Sequence, residues 1–357
     1  MDDYSIRLIR SEDEFYSSLF EDLRRARGSI RIQMYCVEWG GLAEEFKNIL
    51  MERARSGVSV DLVYDSVGCL NTPAYYFNEM AEAGVRVVEY HPIDPRRLRG
   101  PFSLRRLFRR NHRKLVVIDS RVYYLGGMNI GERFLGWEDI MVRGKGRPAG
   151  DLERTFDSVL EKKPARSKPG RGPGPDPGVY VVDCMPRQNN YPIKRLYISA
   201  IKRAKKRVWI AQAYFLPRRK IVKALVRAAQ RGVDVRVVVP DVSDVLVVDL
   251  ASWPVIGRLV RRGVKVFRFT GSMLHTKMAI IDDDWMTVGT ANLDSMSFYW
   301  NMETNLVIHD RKIVDEASGI FGDYQLRSRA VPVDEVENMP LPRRAIGRML
   351  YYYSWIL

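Results

Sequence analysis

Two hydrophobic patterns alternate along the chain. In the first, a glycine ends a helical pattern and precedes a run of β-branched residues, as at Gly57 and Gly84 and again at Gly232 and Gly263. This order is typical of a helix that leads into a buried strand. In the second, apolar residues recur at helical spacing between these strands. The alternation predicts an α/β fold with parallel strands, and it occurs twice.

The two occurrences predict two similar α/β lobes related by a pseudo-twofold axis and sharing one active site. Each lobe is expected to contain a mixed, mostly parallel sheet flanked by helices. A segment dense in proline and glycine separates the halves and is predicted to be an exposed linker. The chain therefore divides into an N-terminal lobe (residues 1–163), a linker (164–178), a C-terminal lobe (179–330) and a tail (331–357).

One motif occurs in both halves with the same internal spacing. Each copy has the pattern H-x-K-x4-D followed by an asparagine, and corresponding residues are separated by 163 positions. The copies consist of His112, Lys114, Asp119 and Asn129, and of His275, Lys277, Asp282 and Asn292. A single H-x-K would mean little. Two copies in register, each with its asparagine, are strong evidence for one shared catalytic site.

Strand geometry predicts different roles within this motif. Side chains two positions apart on a strand point to the same face, so each histidine projects together with its lysine. The aspartate comes seven positions after the histidine, an odd offset, and faces the other way on a regular strand. We therefore interpret Asp119 and Asp282 as structural supports within the catalytic motif. A glycine-containing turn allows Asn129 and Asn292 to return beside the histidines.

Two histidines, two lysines and two asparagines in one site suit attack on a phosphodiester. One imidazole attacks phosphorus and forms a phosphohistidine, while the other protonates the leaving alcohol and later deprotonates the acceptor. The lysines and asparagines bind the non-bridging oxygens. We expect no metal and no other cofactor, because fixed ammonium groups supply positive charge. The alternative, that His112 and His275 are metal ligands or core residues, is disfavoured by the adjacent lysines.

A histidine nucleophile needs its second ring nitrogen held by a partner. Each half offers an acid at a similar distance from its histidine. Asp139 lies 27 positions after His112, and Glu303 lies 28 positions after His275. We interpret these acids as orienting carboxylates that fix the tautomer and stabilise the imidazolium. The alternative is that each is an ordinary acid at the end of a strand.

On these motifs the chain resembles the phospholipase D superfamily, whose signature is this doubled motif and whose fold is two similar α/β lobes sharing one site. Residues 274–305, and 288–294 in particular, are similar to bacterial cardiolipin synthases. This resemblance implies transfer of a phosphatidyl group from one phosphatidylglycerol to another, with release of glycerol. It also implies His112 as the nucleophile and His275 as the acid and base. Thr290 stands where serine is frequent and keeps the hydroxyl.

Composition limits where the protein works. Its three cysteines lack the spacing of a zinc site or a disulfide framework, which suits a reducing compartment. The acidic N-terminus is unlike a signal peptide, and no apolar run reaches the length of a spanning helix. Many cardiolipin synthases begin with two spanning helices, so the chain resembles the shorter, peripheral kind. We expect it at the cytoplasmic face of the cell membrane, and the oligomeric state stays open.

The formal net charge of +15 predicts an anionic partner. The first half has 16 extra residues before its motif, and the segment 92–110 in which they fall places a net charge of +6 near the expected site. Arginines alternate there with apolar residues, a pattern that suits nucleic-acid phosphates or anionic lipid. The residues from which we expect lipid contact are Arg105, Arg106, Arg109 and Arg110.

The C-terminal residues favour lipid over nucleic acid. On a helical wheel of residues 343–357, apolar and aromatic side chains fall on one arc and basic ones on the other, which is typical of an interfacial anchor. The alternative is a helix docked on the protein's own core. Residues 245–260 are a further apolar candidate, placed where lipid chains could enter. The tail residues expected to contact the membrane are Arg343, Arg344, Arg348 and Trp355.

The leading hypothesis is therefore a membrane-peripheral cardiolipin synthase that acts on phosphatidylglycerol, with no nucleic-acid partner. The second is a hydrolase of the same fold, either a phospholipase D that uses water or a nuclease that exploits the positive charge. A catalytically silent lipid-binding protein is the third, and two intact motifs disfavour it. Transfer and hydrolysis use the same residues, so both stay open at this point.

Overall fold

The computed structural model describes residues 4–94, 108–161, 178–185 and 191–354, which form two sheets. The strands of the first sheet are β1 (Ser5–Ile9), β2 (Ser29–Met34), β3 (Ser59–Asp65), β4 (Arg86–Tyr90), β5 (Lys114–Ile118), β6 (Val122–Gly126) and β7 (Met141–Lys145). Their order is β1-β7-β6-β5-β2-β3-β4. Strands β2, β3 and β4 are parallel, and the remaining neighbours are antiparallel.

The second half repeats this arrangement. Its strands are β8 (Val179–Cys184), β9 (Arg207–Gln212), β10 (Asp234–Pro240), β11 (Lys265–Phe269), β12 (Lys277–Ile281), β13 (Trp285–Gly289), β14 (Glu303–Ile308) and β15 (Ser328–Ala330). Their order is β15-β11-β10-β9-β12-β13-β14-β8, with β9, β10 and β11 parallel. The linker at 164–178 lies almost entirely outside the described residues, so the domain boundaries stay a prediction.

The fold class is confirmed, because two similar α/β lobes each contain a mixed sheet flanked by helices. The expectation that parallel pairs would predominate is wrong. Two of the six pairings in the first sheet and two of the seven in the second are parallel. The reason is the short connection that follows β5 and β12, which begin at the two motif lysines and are called the motif strands. Three residues join β5 to β6, and so short a turn allows only antiparallel neighbours.

Helices cover the outer face of each sheet and flank the space between the sheets. Those of the described residues are α1 (Glu12–Arg25), α2 (Gly41–Arg55), α3 (Ala74–Glu82), α4 (Pro148–Leu160), α5 (Pro192–Arg203), α6 (Arg219–Gln230), α7 (Leu246–Val260), α8 (Arg311–Leu326), α9 (Val333–Glu337) and α10 (Leu341–Tyr353). A 3-10 turn at Glu132–Phe134 and a π-helical turn at Met296–Trp300 each follow a motif asparagine.

Glycines end two of the outer helices where the sequence predicts. Gly57 follows α2 with φ of +91°, and Gly232 follows α6 with φ of +86°. Side chains other than glycine resist this left-handed conformation, so glycine allows each helix to stop and the chain to enter the next strand. The outer helices then bury their apolar sides against the sheets in two separate cores, one in each lobe.

A third core joins the two lobes. Leu115 and Val117 of β5 belong to the same buried cluster as Met278 and Ile280 of β12. Apolar side chains of α4 and α8 complete this cluster. Burial of such a continuous apolar surface holds the lobes in a fixed relation. Both motif strands therefore contribute to the centre of the molecule, where residues from the two halves can meet.

Candidate active site

Each motif histidine lies just before a motif strand, and its backbone is bound by the opposite lobe. The amide of His112 donates a hydrogen bond to the carbonyl of Met302 at 3.1 Å, and the amide of His275 donates to the carbonyl of Glu138 at 2.8 Å. Met302 immediately precedes β14, and Glu138 lies shortly before β7. Contacts between the lobes therefore position both histidines.

Each imidazole ring is also bound by a residue of the opposite lobe. Nδ1 of His112 lies 3.0 Å from Oε1 of Glu303, and Nδ1 of His275 lies 2.6 Å from Oδ2 of Asp139. The sequence spacing associates each acid with the histidine of its own half, and that association is wrong. Thr290 also donates a hydrogen bond to Glu303. An ionised carboxylate only accepts, so both Nδ1 atoms carry hydrogen and both Nε2 atoms are left to react.

Burial governs the charge of both rings. Burial and then the neighbouring Lys114 lower the pKa of His112 below its ordinary value, against the carboxylate at Nδ1. Burial and then Lys277 lower the pKa of His275 to about 4, again against its carboxylate. Both imidazoles are therefore neutral in the free site at pH 7. A nucleophile or a general base needs this neutral form.

The two motif lysines are buried and lie close enough to influence each other. Burial and then the charge of Lys277 lower the pKa of Lys114 to about 7. Burial lowers the pKa of Lys277 to about 8, although nearby carboxylates oppose it. Each ammonium group donates a hydrogen bond to the carbonyl of the histidine two positions earlier. Two cations buried together favour an anionic ligand, and a phosphodiester is such a ligand.

The motif aspartates lie at the far ends of the motif strands. Asp119 follows β5 with φ of +51°, and its carboxylate accepts hydrogen bonds from the backbone N–H groups of residues 27–29. Asp282 binds residues 205–207 in the same way. These contacts hold the chain at the start of β2 and of β9. A strand of five residues separates each carboxylate from its histidine, which is consistent with the interpretation of both aspartates as structural supports of the motif.

The two motif asparagines use their side chains differently. Oδ1 of Asn129 accepts a hydrogen bond from the backbone N–H of Cys36 at 3.3 Å. Asn129 also lines a cavity together with Trp137 and His275. Oδ1 of Asn292 is buried and has no hydrogen-bond partner among the described residues. A buried, unsatisfied amide is costly unless a ligand or water binds it. Oδ1 of Asn292 can therefore accept a hydrogen bond from a ligand or from water.

Aromatic side chains that the motif analysis did not assign surround both histidines. The ring centroid of Tyr35 lies 4.8 Å from that of His112. The centroids of Trp137 and Tyr214 lie 5.2 Å and 6.3 Å from that of His275. The sequence contains a signal for the two tyrosines, because a tyrosine follows a similar apolar strand in each half. The tryptophan falls outside the repeated segments, so no such signal indicated it.

The two tyrosines are not equivalent residues of the repeat. Strands β2 and β9 pair with the motif strands in the same register, which aligns Tyr35 with Ala213 and Tyr214 with Cys36. The hydroxyl of Tyr214 donates a hydrogen bond to Asp244 at 2.9 Å. The aromatic side chains of the two half-sites therefore occupy different positions of the repeat, although both lie beside a motif histidine.

The basic residues expected to contact lipid have varied surroundings. Three predicted contact residues lie outside the described residues: Arg105, Arg106 and Trp355. Arg110 is 4% exposed, and its guanidinium forms an ion pair with Asp65 at 2.7 Å. This contradicts a role in lipid contact, because a buried and paired charge does not reach a membrane surface. Of the others, two are exposed and two are half-buried: Arg343 and Arg348, and Arg109 and Arg344.

Helix α10 packs on α7 and still presents apolar side chains outward. The helices cross at Gly347, where a Cβ atom would lie 2.7 Å from the carbonyl oxygen of Leu250. Tyr351 donates a hydrogen bond to the carbonyl of Pro217 at 3.0 Å. The outward apolar side chains are Ile346, Met349, Tyr352 and Tyr353. The helix docks on the protein, as one alternative predicted, yet keeps the exposed surface that an interfacial helix needs.

Other features of the described residues bear on the class of site. No group of three or more His, Cys, Asp and Glu side chains in these residues is arranged to hold a metal ion. No helix among them is long and apolar enough to cross a membrane. The three cysteines are buried and unpaired.

A solved structure shares this fold. The crystal structure of a phosphatidylserine synthase from Haemophilus influenzae Rd KW20 matches with a TM-score of 0.79 over 99% of this chain and 95% of that chain. Sequence identity is 13%, so this likeness shows the fold alone. Together with two histidine motifs meeting at the lobe interface and a match to a PLD-like domain model, the fold defines an enzyme of the phospholipase D superfamily.

Sequence comparisons narrow this class. The family model described as "Cardiolipin synthase, PLD-like domain" matches residues 19–160 and 197–324. The chain is 32% identical to cardiolipin synthase 2 of Bacillus anthracis over 95% of its own length and 68% of that protein. It is 31% identical to the major cardiolipin synthase ClsA of Bacillus subtilis (strain 168), over 98% of its length and 75% of that protein. The chain therefore belongs to this family of phosphatidyltransferases.

Proposed function

We propose that this protein is a cardiolipin synthase. It transfers a phosphatidyl group from one phosphatidylglycerol to another through a covalent phosphohistidine and releases glycerol. The observation that carries the proposal is the pair of buried imidazoles, each with a carboxylate at Nδ1, beside two buried ammonium groups. The relatives' names support the choice of substrate.

In the first step, His112 is the nucleophile. Its Nε2 attacks phosphorus, a P–N bond forms, and the P–O bond to the glycerol headgroup breaks. His275 donates a proton to the departing glycerol oxygen. The bound phosphodiester is anionic and favours this imidazolium, which offsets the burial that lowers the pKa of His275 in the free site. Glu303 stabilises the positive charge that develops on His112.

In the second step, a hydroxyl of the second phosphatidylglycerol gives its proton to neutral His275 and attacks phosphorus. The P–N bond breaks, and His112 leaves as neutral imidazole. The product has two phosphatidyl groups on one glycerol. In both steps the non-bridging oxygens are bound by four donor side chains: Lys114, Lys277, Asn129 and Asn292.

The proposed location is the cytoplasmic face of the cell membrane, with peripheral binding to its anionic surface. Exposed apolar side chains on α10 support contact with the headgroup layer. Unpaired cysteines suit a reducing compartment. A lipid substrate also has to enter the site from a bilayer, which favours a protein held at that surface.

Purified protein incubated with phosphatidylglycerol vesicles tests the reaction. We expect cardiolipin and glycerol in equal amounts, with no product from His112→Ala or His275→Ala. The control variant Arg55→Gln, on the surface of α2, should keep the wild-type rate. Phosphatidic acid as the only lipid product would support a phospholipase D-type hydrolase instead. Degradation of DNA that is lost in His275→Ala would support the nuclease alternative.

The covalent step has a separate test. An analogue that carries p-nitrophenol in place of glycerol needs no proton from His275, because p-nitrophenolate is a stable leaving group. The His275→Asn variant should release one p-nitrophenol per protein and then stop, with an acid-labile phosphatidyl group on His112. The His112→Asn variant should give no burst. The opposite pattern would exchange the two roles.

A further inference from the structure

The outer helical layers of the two lobes carry opposite charge. In the first lobe, α1, α2 and α3 contain ten acidic and five basic residues. In the second lobe, α5, α6 and α7 contain nine basic residues and one acidic residue. From Tyr191 to Val233 the chain has thirteen Lys and Arg residues and no Asp or Glu. The outer layer of the second lobe is therefore strongly positive, while that of the first lobe is negative.

Four cations line a groove between α6 and α7. Three belong to these helices, Lys223, Arg227 and Arg258, and Arg262 follows the end of α7. Val222 and Val226 form the apolar part of the groove. Within the residues that the structure describes, none of the four cations forms an ion pair. In the first lobe, by contrast, Arg24 of α1 pairs with Glu45 of α2. We call α5, α6 and these four cations the basic face.

The basic face begins at the edge of the active site. Helix α6 starts five residues after Tyr214, whose ring contacts His275. Helix α7 starts two residues after Asp244, the hydrogen-bond partner of that tyrosine. The first residue of α7, Leu246, is exposed, and α10, which packs on α7, exposes Tyr352. Positive charge and exposed apolar side chains thus occur on one helical layer that starts at the site.

We infer that the basic face is the surface by which the protein docks on an anionic bilayer. Its cations lie against the lipid headgroups, and the exposed apolar side chains of α7 and α10 enter the headgroup layer. The inference rests on the proposed function, because it names the surface through which that lipid substrate reaches the site. Attraction of the basic outer helices of the second lobe and repulsion of the acidic outer helices of the first lobe give the molecule one orientation on the membrane.

The exposed apolar side chains favour a bilayer over a nucleic acid as the partner. A duplex would contact the cations through its phosphates and leave Leu246, Met349 and Tyr352 in water. A bilayer satisfies both sets, because headgroup phosphates meet the cations while apolar side chains enter the acyl boundary. The chemistry of the whole surface therefore matches a lipid membrane.

Neutralising two cations of the basic face tests the inference. The variant Lys223→Gln/Arg227→Gln keeps long, helix-forming side chains and changes no residue of the catalytic site. The matched control, Arg25→Gln/Arg55→Gln, removes the same charge from the acidic layer. Co-sedimentation with vesicles of equal parts phosphatidylglycerol and phosphatidylcholine measures binding. We expect a roughly 30-fold weaker partition for the basic-face variant, which corresponds to about 1 kcal/mol per cation, and less than about 3-fold for the control.

Equal losses in the two variants, or no loss in either, would overturn the inference. Wild-type protein that binds duplex DNA but not these vesicles would also overturn it. A water-soluble, short-chain phosphatidylglycerol separates docking from chemistry, because the basic-face variant should turn it over at the wild-type rate. If wild-type protein makes no cardiolipin from this soluble substrate, the proposed function fails, whatever the vesicles show.

Discussion

The two halves of the active site use the same strands but surround their histidines differently. His112 is held by Glu303, whose carboxylate also accepts a hydrogen bond from Thr290. His275 is held by the shorter Asp139. The repeat accounts for the common catalytic geometry, because equivalent strands place equivalent residues at the lobe interface. The side chains around the two rings differ, and this difference suits the proposal that one histidine is the nucleophile and the other the proton carrier.

The aromatic walls extend this contrast. Tyr35 contacts the ring of His112, whereas Trp137 and Tyr214 lie beside His275. Tyr214 is in turn bound to the carboxylate of Asp244. Hydroxyl and carboxylate groups beside His275 suit the side of the site where alcohols leave and enter. The difference between the half-sites therefore agrees with the roles proposed for their histidines.

Replacement of the histidines should have the largest effect and should separate the half-sites. We expect His112→Ala to lower kcat/KM at least about 10⁴-fold with any leaving group, since no covalent intermediate forms. His275→Ala should lose about 10²–10⁴-fold with phosphatidylglycerol. Its release of p-nitrophenol from the activated analogue should fall less than about tenfold, because that step needs no acid. Rates of the first turnover, measured as the p-nitrophenol burst, check this, and equal losses with both leaving groups would contradict the division of roles.

Removal of the orienting carboxylates should have the next largest effect and should cross between the lobes. Glu303→Gln and Asp139→Asn should each lower kcat about 10²–10³-fold, since the wrong tautomer becomes accessible. Asp139→Asn should also lower the pKa of His275 further, because a charge that opposes burial is lost. Histidine NMR titrations measure this shift. A change in the pKa of His112 in the Asp139→Asn variant, with the pKa of His275 unchanged, would contradict the cross-lobe pairing.

The lysines should determine the alkaline limb of the pH profile. The pKa of Lys114 is lowered to about 7 and that of Lys277 to about 8, and the charged form exists below each value. In wild-type protein, kcat/KM should therefore fall as pH rises through this range, because the phosphate loses its cations. Lys114→Arg keeps its charge to high pH, so the fall in kcat/KM should move to higher pH. The altered geometry should lower the rate about tenfold. A wild-type profile that is flat to about pH 9 would disprove this origin of the limb.

Asp119→Ala should affect stability more than chemistry. Losing the acceptor for residues 27–29 should cost about 1–2 kcal/mol after solvent screening, with kcat of the folded protein nearly unchanged. Burial would raise the pKa of Asp119, but these backbone N–H groups hold it below its ordinary value. The ionised carboxylate therefore stabilises the fold above its unfolded pKa, and this contribution is lost as pH falls through the folded pKa.

Urea unfolding of wild type and Asp119→Ala measures this contribution. The difference in unfolding free energy should be full at pH 7 and should shrink below about pH 4. Asp119→Asn, which keeps an acceptor without its charge, serves as the control and should fall between the two. Loss of kcat with unchanged stability would contradict the structural role and place Asp119 among the catalytic residues.

The candidate site was largely readable from the sequence because the motif is duplicated. A constant offset of 163 positions marks eight residues, and strand alternation separates the aspartates from the histidines. The partners of the histidines were not readable in the same way. Asp139 and Glu303 were recognised by position, yet their assignment to His112 and His275 required the packing of one lobe against the other.

The location of the positive charge on the molecule could not be read from the sequence alone either. Counting along the chain directs attention to the arginines of the insertion, but Arg110 is buried against Asp65. Grouping the helices by layer places the excess on α5, α6 and α7. This grouping depends on sheet order and on which side of a sheet each helix packs. Neither property is visible in a linear count of charged residues.

By itself, the sequence determined the α/β class, the two lobes and the doubled catalytic motif, because periodicity and spacing are properties of the chain. Only the tertiary structure decided which acid serves which histidine, which arginines reach solvent, and that the second lobe has a basic face. These properties depend on distances in space between residues remote in sequence. His112 and Glu303, for example, are separated by 191 positions and lie 3.0 Å apart.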